Sequence, residues 1–199
     1  MQFISYPSSE NMARLIVLPG DMVSAANNGA VFVDSYQFSG GFDGGRFYQF
    51  DVVAGQRSVW CTIPLAYFYD YYRLGSMFVG ASPQNLLISL YVSGSNQAGP
   101  GVFTTDFLVS AWFRNIGDDI GAIPFGYTPY QQTLNVNELS VAGVAILQKM
   151  VMGQMYLNPG QADMSDGLLI ISIDRLLPGN TYLDAIRLYA VTIDMGIKR

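Results

Sequence analysis

Ala185-Ile186-Arg187-Leu188-Tyr189-Ala190-Val191-Thr192-Ile193-Asp194 is the stretch that decides the fold. Successive side chains of a strand point to opposite faces, so apolar periodicity separates strand from helix. Read with period two, Arg187, Tyr189, Val191 and Ile193 share one face, and Ile186, Leu188, Ala190 and Thr192 share the other. Apolar residues on both faces predict a strand covered on both sides, by the core and by a partner.

The same grammar runs outward through the chain. Strands are expected at Arg14 to Leu18, stopped by Pro19-Gly20, and at Ala30 to Phe38 after the turn Asn27-Asn28-Gly29. Arg46 to Val53 and Arg57 to Ile63 flank the turn Ala54-Gly55-Gln56. Leu86 to Val92, Thr104 to Arg114, Leu168 to Leu176 and Asp184 to Met195 bring the principal strands to eight, with a shorter one at Ser76 to Val79. Gly, Pro and Asn clusters punctuate these runs as strand-ending turns do.

Two segments break the pattern. Glu138 to Met152 is apolar nearly all round and has Asn137 as an N-cap, which predicts a buried helix. Leu65 to Leu74 reads as a second short helix or a loop. Ile120 to Gln132 is uncharged and holds Pro124 and Pro129, so an extended arm is expected there. The expected fold is all-β: an eight-stranded antiparallel jelly-roll β-sandwich with one or two short helices, residues 1–199 forming one domain.

Composition says how such a fold must live. Half of the 199 residues are hydrophobic, and only 13% are charged. Ordinary soluble domains carry roughly 25% charged residues. With 13 Tyr, 12 Phe and 2 Trp and a mean hydropathy of +0.25, the surface is short of charge and association is expected. The densest apolar stretch, Leu139 to Leu147, is broken by Ser140 and Gly143 and ends at Gln148, so no membrane-spanning helix is expected. No charged and apolar leader opens the chain, so no secretory signal is expected.

Much chemistry is excluded at once. Without histidine, imidazole bases, Ser-His-Asp and Cys-His nucleophiles and His-ligated zinc are all unavailable. Cys61 is alone in an apolar run and reads as a small core residue. Only Glu10 and Glu138 are glutamates, and the 13 Asp are scattered, mostly beside turn residues. A paired-carboxylate glycosidase is a minor reading, because separation in space is not legible in sequence. Asp163 and Asp166 lack the ligand spacing of a calcium loop, and Gly40 to Gly45 lacks the Gly-Lys-Ser/Thr end of a phosphate loop. No catalytic residue, metal or cofactor is expected. Lysine occurs only at 149 and 198, arginine is never clustered, the net charge is -5 and the pI is near 4.4. Direct nucleic-acid binding through a basic arm is therefore not expected.

The segment from Ser58 to Phe125 resembles the C-terminal part of the capsid jelly roll of picorna-like viruses, the insect and marine ones above all. The likeness is carried by Val59-Trp60-Cys61-Thr62-Ile63-Pro64-Leu65, Phe68-Tyr69-Asp70-Tyr71-Tyr72 and Leu74-Gly75. It continues in Leu86 to Val92, Phe107 to Phe113, Gly117-Asp118-Asp119 and Ile123-Pro124. In such proteins this segment supplies the last strands, whereas here 74 residues follow Phe125, so residues 126–199 are alternatively an added C-terminal subdomain.

The resemblance implies a non-enzymatic structural capsid subunit, located in the virion and assembled in the host-cell cytoplasm. Its partners would be other capsid subunits and a host receptor. Trp60, Tyr67, Phe68, Tyr69, Tyr71 and Tyr72 are its expected interface anchors, aromatic residues being enriched at interfaces. Asp118 and Asp119 stand where some insect viruses carry an Asp-Asp-Phe maturation motif, but the third residue here is Ile120, and a turn is the favoured reading. The main alternative is a carbohydrate-binding β-sandwich, a lectin or viral attachment protein, with Tyr69, Tyr71, Tyr72 or Trp112 as stacking platforms. A phage head or tail component is a third reading.

Overall fold

The structure is a computed structural model. It describes residues 2–5, 12–24, 29–34, 45–51, 57–67, 84–94, 104–119, 125–135, 140–141, 144–145, 147–157, 165–176 and 185–196. The strands are β1 (Gln2–Ser5), β2 (Met12–Val17), β3 (Met22–Ser24), β4 (Val31–Val33), β5 (Phe47–Phe50), β6 (Arg57–Pro64) and β7 (Gln84–Gly94). They continue with β8 (Thr104–Arg114), β9 (Phe125–Asn135), β10 (Ser140–Val141), β11 (Val144–Ala145), β12 (Gln148–Leu157), β13 (Leu168–Leu176) and β14 (Ile186–Gly196). One 3-10 turn, Pro19–Asp21, follows β2.

Two antiparallel sheets form a sandwich. One has seven strands with β14 at its centre: β7 and then β12 lie on one side of β14, and β2 and β5 share the other side end to end. The other sheet has five strands in the order β3-β6-β13-β8-β9. Taking β5, β6, β7, β8, β9, β12, β13 and β14 as strands one to eight, the sheets read 1-8-3-6 and 2-7-4-5. That order is a jelly roll, in which consecutive strands mostly cross from sheet to sheet. The Ser58 to Phe125 segment supplies strands two to four of this roll, not the last strands of the resembling family. Residues 125–196 supply the other half, including the central strands of both sheets.

Three expectations change. Glu138 to Met152 is not a helix: Ser140 pairs with Ala145 and Val141 with Val144 as a tight hairpin, and Gln148–Leu157 pairs with β7. Continuous apolarity is shared by buried helices and buried strands, and here cross-strand pairing decided between them. Ile120 to Gln132 is no free arm along its second half, because β9 pairs with β8 from Phe125 to Asn135. Pro129 is accommodated because β9 is an edge strand, where a missing ladder donor is tolerated. The expected strand at Ser76 to Val79 and residues 68–74 of the Leu65 to Leu74 segment lie outside the described residues.

The third change concerns β14 itself. A β-bulge between Leu188 and Ala190 inserts Tyr189 and reverses the alternation. Ile186 and Leu188 before it, and Val191 and Ile193 after it, therefore all face the core at 0% exposure. The apolar residues on both parities belong to one buried face. Across the sandwich, Phe50 of β5 meets Phe107 of β8 edge to face at 5.5 Å, inside a core that also takes Val59, Cys61, Val109 and Ile171.

Candidate functional site

The two sheets differ in what they turn outward. On the seven-stranded sheet, Ser89 of β7, Thr192 and Asp194 point away from the core, yet none is more than 2% exposed. Asp194 accepts from Arg14 Nη2 at 2.9 Å on the adjacent β2 and from Lys149 Nζ at 3.3 Å on β12. Burial alone raises the Asp194 carboxyl, but the Arg14 hydrogen bond and the charges of Lys149 and Arg14 outweigh it and hold the pKa below the usual carboxylate range. The centre of this face is buried and polar.

The outer face of the five-stranded sheet sets exposed aromatic and aliphatic side chains among hydroxyls and charges. Val59, Cys61 and Ile63 fill the core, so β6 turns Ser58, Trp60 and Thr62 outward. By the same alternation β13 shows Leu168, Ile170, Ser172 and Asp174, and β8 shows Asp106, Leu108, Ser110, Trp112 and Arg114. Register puts Trp60 beside Ser172 and Trp112 beside Ile170, with β13 between the tryptophans. Strands two apart in a sheet are about 9.6 Å apart. The indole centroids nevertheless meet at 5.4 Å and 85°, so both rings lean over β13. Ser172 is small enough to lie beneath them and is 4% exposed.

Around the indoles sits an aliphatic rim. Val23 of β3, opposite Trp60, is 67% exposed, and Leu168 at the end of β13 is partly exposed. The polar groups of the face are organised among themselves. Asp174 accepts from Ser58 and from Ser172, the latter at 3.0 Å, while Arg114 Nη1 donates to the Asp119 carbonyl at 3.0 Å.

The sequence-predicted residues divide. Trp60, expected as an interface anchor, and Trp112, expected as a stacking platform, are brought into one contact. Tyr67 is exposed just beyond Leu65, whose backbone N-H donates to the Gly167 carbonyl at 2.9 Å. Phe68, Tyr69, Tyr71 and Tyr72 lie outside the described residues. Asp118 closes a turn: its backbone N-H donates to the Asn115 carbonyl, and its Oδ2 accepts from the Asn115 N-H at 2.7 Å. Gly117 within it has φ +89°, a conformation that favours glycine. Val23, Thr62, Ile170 and Leu168 were not singled out from sequence. Only cross-strand register brings them together.

Nothing else among the described residues competes as a chemical centre. No cluster of three Cys, Asp or Glu able to hold a metal occurs there. Burial pushes the Cys61 thiol up to about 12, which removes it as a nucleophile at neutral pH. A cleft of about 540 Å³ lies between Leu18, Pro19, Asp21, Arg46 and Tyr189, with Arg46 ion-paired to Asp34. No helix is long and apolar enough to cross a membrane among the described residues.

No family model matches the chain, and no curated protein matches it. Among solved structures, the chain is similar to a GH26-CBM35 β-(1,4)-mannanase from Podospora anserina, at 14% identity and a TM-score of 0.38. That match covers 90% of this chain and 28% of the mannanase, so the chain spans little more than a quarter of that protein. It is also similar to CBM27-1 from Caldicellulosiruptor saccharolyticus, solved in complex with mannohexaose, at 8% identity and a TM-score of 0.45 over 90% of this chain and 95% of that one. These are likenesses of fold. The jelly-roll assignment itself rests on the strand order described above.

Proposed function

We propose that the chain is a non-enzymatic structural subunit that assembles with copies of itself or with related chains into a shell, as a viral capsid protein does. The observation that carries this reading is the outer face of the five-stranded sheet. It bears both tryptophans of the chain, ringed by Val23, Leu168 and Ile170, in a protein with only 13% charged residues. Large exposed apolar patches on soluble proteins mark association surfaces, and Trp is enriched among residues that dominate binding energy. Further exposed apolar side chains, among them Ile116, Leu147, Val31 and Phe32, give the several contact regions that a lattice needs. The capsid resemblance of residues 58–125 supports the same reading. Sedimentation velocity with negative-stain microscopy of the purified chain tests it. Closed or extended assemblies support it, and a monodisperse monomer at high concentration, alone and with co-expressed partner chains, contradicts it.

A second reading has its own observation. Trp60 and Trp112 stand beside the hydroxyls of Ser58, Thr62 and Ser172, a combination suited to stacking a sugar ring and hydrogen-bonding its hydroxyls. A glycan array separates the two: saturable binding by the monomer favours the carbohydrate-binding module.

A further inference from the structure

We propose that the cleft at the break in the seven-stranded sheet, between the end of β2 and the start of β5, binds a neutral saccharide. Tyr189 lies beneath the sugar ring, and Asp21 and Arg46 meet its hydroxyls. The site is in the other sheet from the tryptophans and stands whether or not the chain assembles.

The cleft is a product of topology. β2 and β5 lie end to end along the same side of β14. Pairing with β2 begins at Val191, opposite Val17, and pairing with β5 ends at Leu188, opposite Tyr48. Tyr189 and Ala190 are thus left without a strand neighbour on that side among the described residues. Tyr189 is also the bulge residue, so its side chain stands where β14 departs from the regular pleat, and bulges re-aim side chains in this way. The opening measures about 540 Å³, inside the range of roughly 300–1,000 Å³ found for small-ligand sites.

Its walls are held in place. After β2 the chain passes through the 3-10 turn, where the Asp21 N-H donates to the Leu18 carbonyl at 2.9 Å. Before β5, Gly45 has φ +75°, a bend that favours glycine, and delivers Arg46 to the rim. The Tyr48 hydroxyl donates to the Met22 carbonyl at 2.8 Å, which ties β5 to the residue that follows the turn. Tyr189 is steadied by the Phe47 ring at 5.5 Å, and its hydroxyl is 3.2 Å from that of Ser93. Little ordering remains to be done when a ligand enters.

The lining suits a polyol. Half-buried Tyr189 with Leu18 and Pro19 offers apolar surface to the C-H face of a sugar ring. Asp21 and Arg46 are exposed at the rim, where a carboxylate accepts from hydroxyls and a guanidinium donates to them in a planar fork. Arg46 is oriented by Asp34, Nε to Oδ1 at 2.6 Å, and its Nη1 lies 3.9 Å from where a Cβ on Gly20 would stand. Charge decides the class of ligand. Two carboxylates against one guanidinium, in a chain of net charge -5, oppose an anionic ligand. A wholly apolar one would strip water from the rim charges without replacing its hydrogen bonds. A neutral saccharide avoids both costs.

The test is saturation-transfer difference NMR of the full chain with lactose, cellobiose and mannobiose at millimolar concentration, and with sialyllactose as an anionic counterpart. The variants are Tyr189→Ala, which removes the platform, Arg46→Ala, which removes the donor fork, and Gly20→Leu, which fills the cleft beside Arg46. Thermal melts on each confirm folding. Binding of at least one neutral disaccharide, with Kd raised at least about tenfold in each folded variant, is the expected result. No transfer to any of the neutral sugars overturns the proposal, and so does binding of sialyllactose alone. Neutral binding that survives in all the cleft variants but is lost in Trp60→Ser puts the sugar on the tryptophan face and also overturns it. Sedimentation of the same proteins reads association separately, so failure of the cleft leaves the assembly reading intact.

Discussion

Arg175 Nη1 of β13 donates to the carbonyl oxygen of Phe50 on β5 at 2.7 Å, and the two residues belong to different sheets. The guanidinium is fully buried, and its Nε also donates to Thr105 Oγ1 at 3.1 Å. A rigid donor fork at the end of the core thus ties the sandwich layers together. Arg175→Ala leaves a cavity and orphans the Phe50 carbonyl, with an expected cost of about 3 kcal/mol in chemical denaturation. Arg175→Lys cannot reproduce both donations and is expected to fall between. A change below about 1 kcal/mol in the alanine variant would contradict the tie.

The Arg14-Asp194-Lys149 cluster spans four adjacent strands, β2, β14, β7 and β12. The folded pKa of Asp194 is depressed, so its stabilisation is fully present above the unfolded value of about 3.9 and is lost as pH falls through the folded value. Asp194→Asn is expected to cost about 2 to 3 kcal/mol at neutral pH and to flatten the acid limb of a stability-pH profile. An acid limb unchanged in the variant would contradict this assignment.

The Cys61 thiol is 2% exposed and pushed up to about 12. A maleimide or disulfide reagent is expected to label it only at the rate at which the sandwich opens. In denaturant, labelling becomes immediate. Fast native labelling at neutral pH would show that β6 is not where the core places it.

Tyr189 is the extra residue that lets Ile186 and Leu188 share a face with Val191 and Ile193. Deleting it moves Ile186 and Leu188 to the wrong face, since a one-residue slip reverses every side chain. The deletion is expected to unfold the protein or to cost more than about 4 kcal/mol. Tyr189→Ala, which keeps the backbone and gives up the Phe47 ring contact at 5.5 Å, is expected to cost only about 1 kcal/mol. Thermal melts compare them.

Legibility followed local signals. Six of the eight jelly-roll strands announced themselves through turn residues and alternating or β-branched runs, as in Arg57 to Ile63 and Thr104 to Arg114. The count of eight was reached with Arg14 to Leu18 and Ala30 to Phe38 standing in for β9 and β12. Those two were hidden by their own composition. One carries Pro129, and the other is continuously apolar around Met150 and Met152 with a bulge near Gly153. Trp60 and Trp112 were each visible as candidates, but their contact depends on the register of both with β13, which no local pattern encodes.

Sedimentation equilibrium of the wild type beside Trp60→Ser, across a concentration series, tests the central claim most directly. Concentration-dependent association of the wild type that is weakened at least about tenfold in a folded Trp60→Ser is the expected result. Identical behaviour of the two, whether both monomeric or both associated to the same degree, would contradict it.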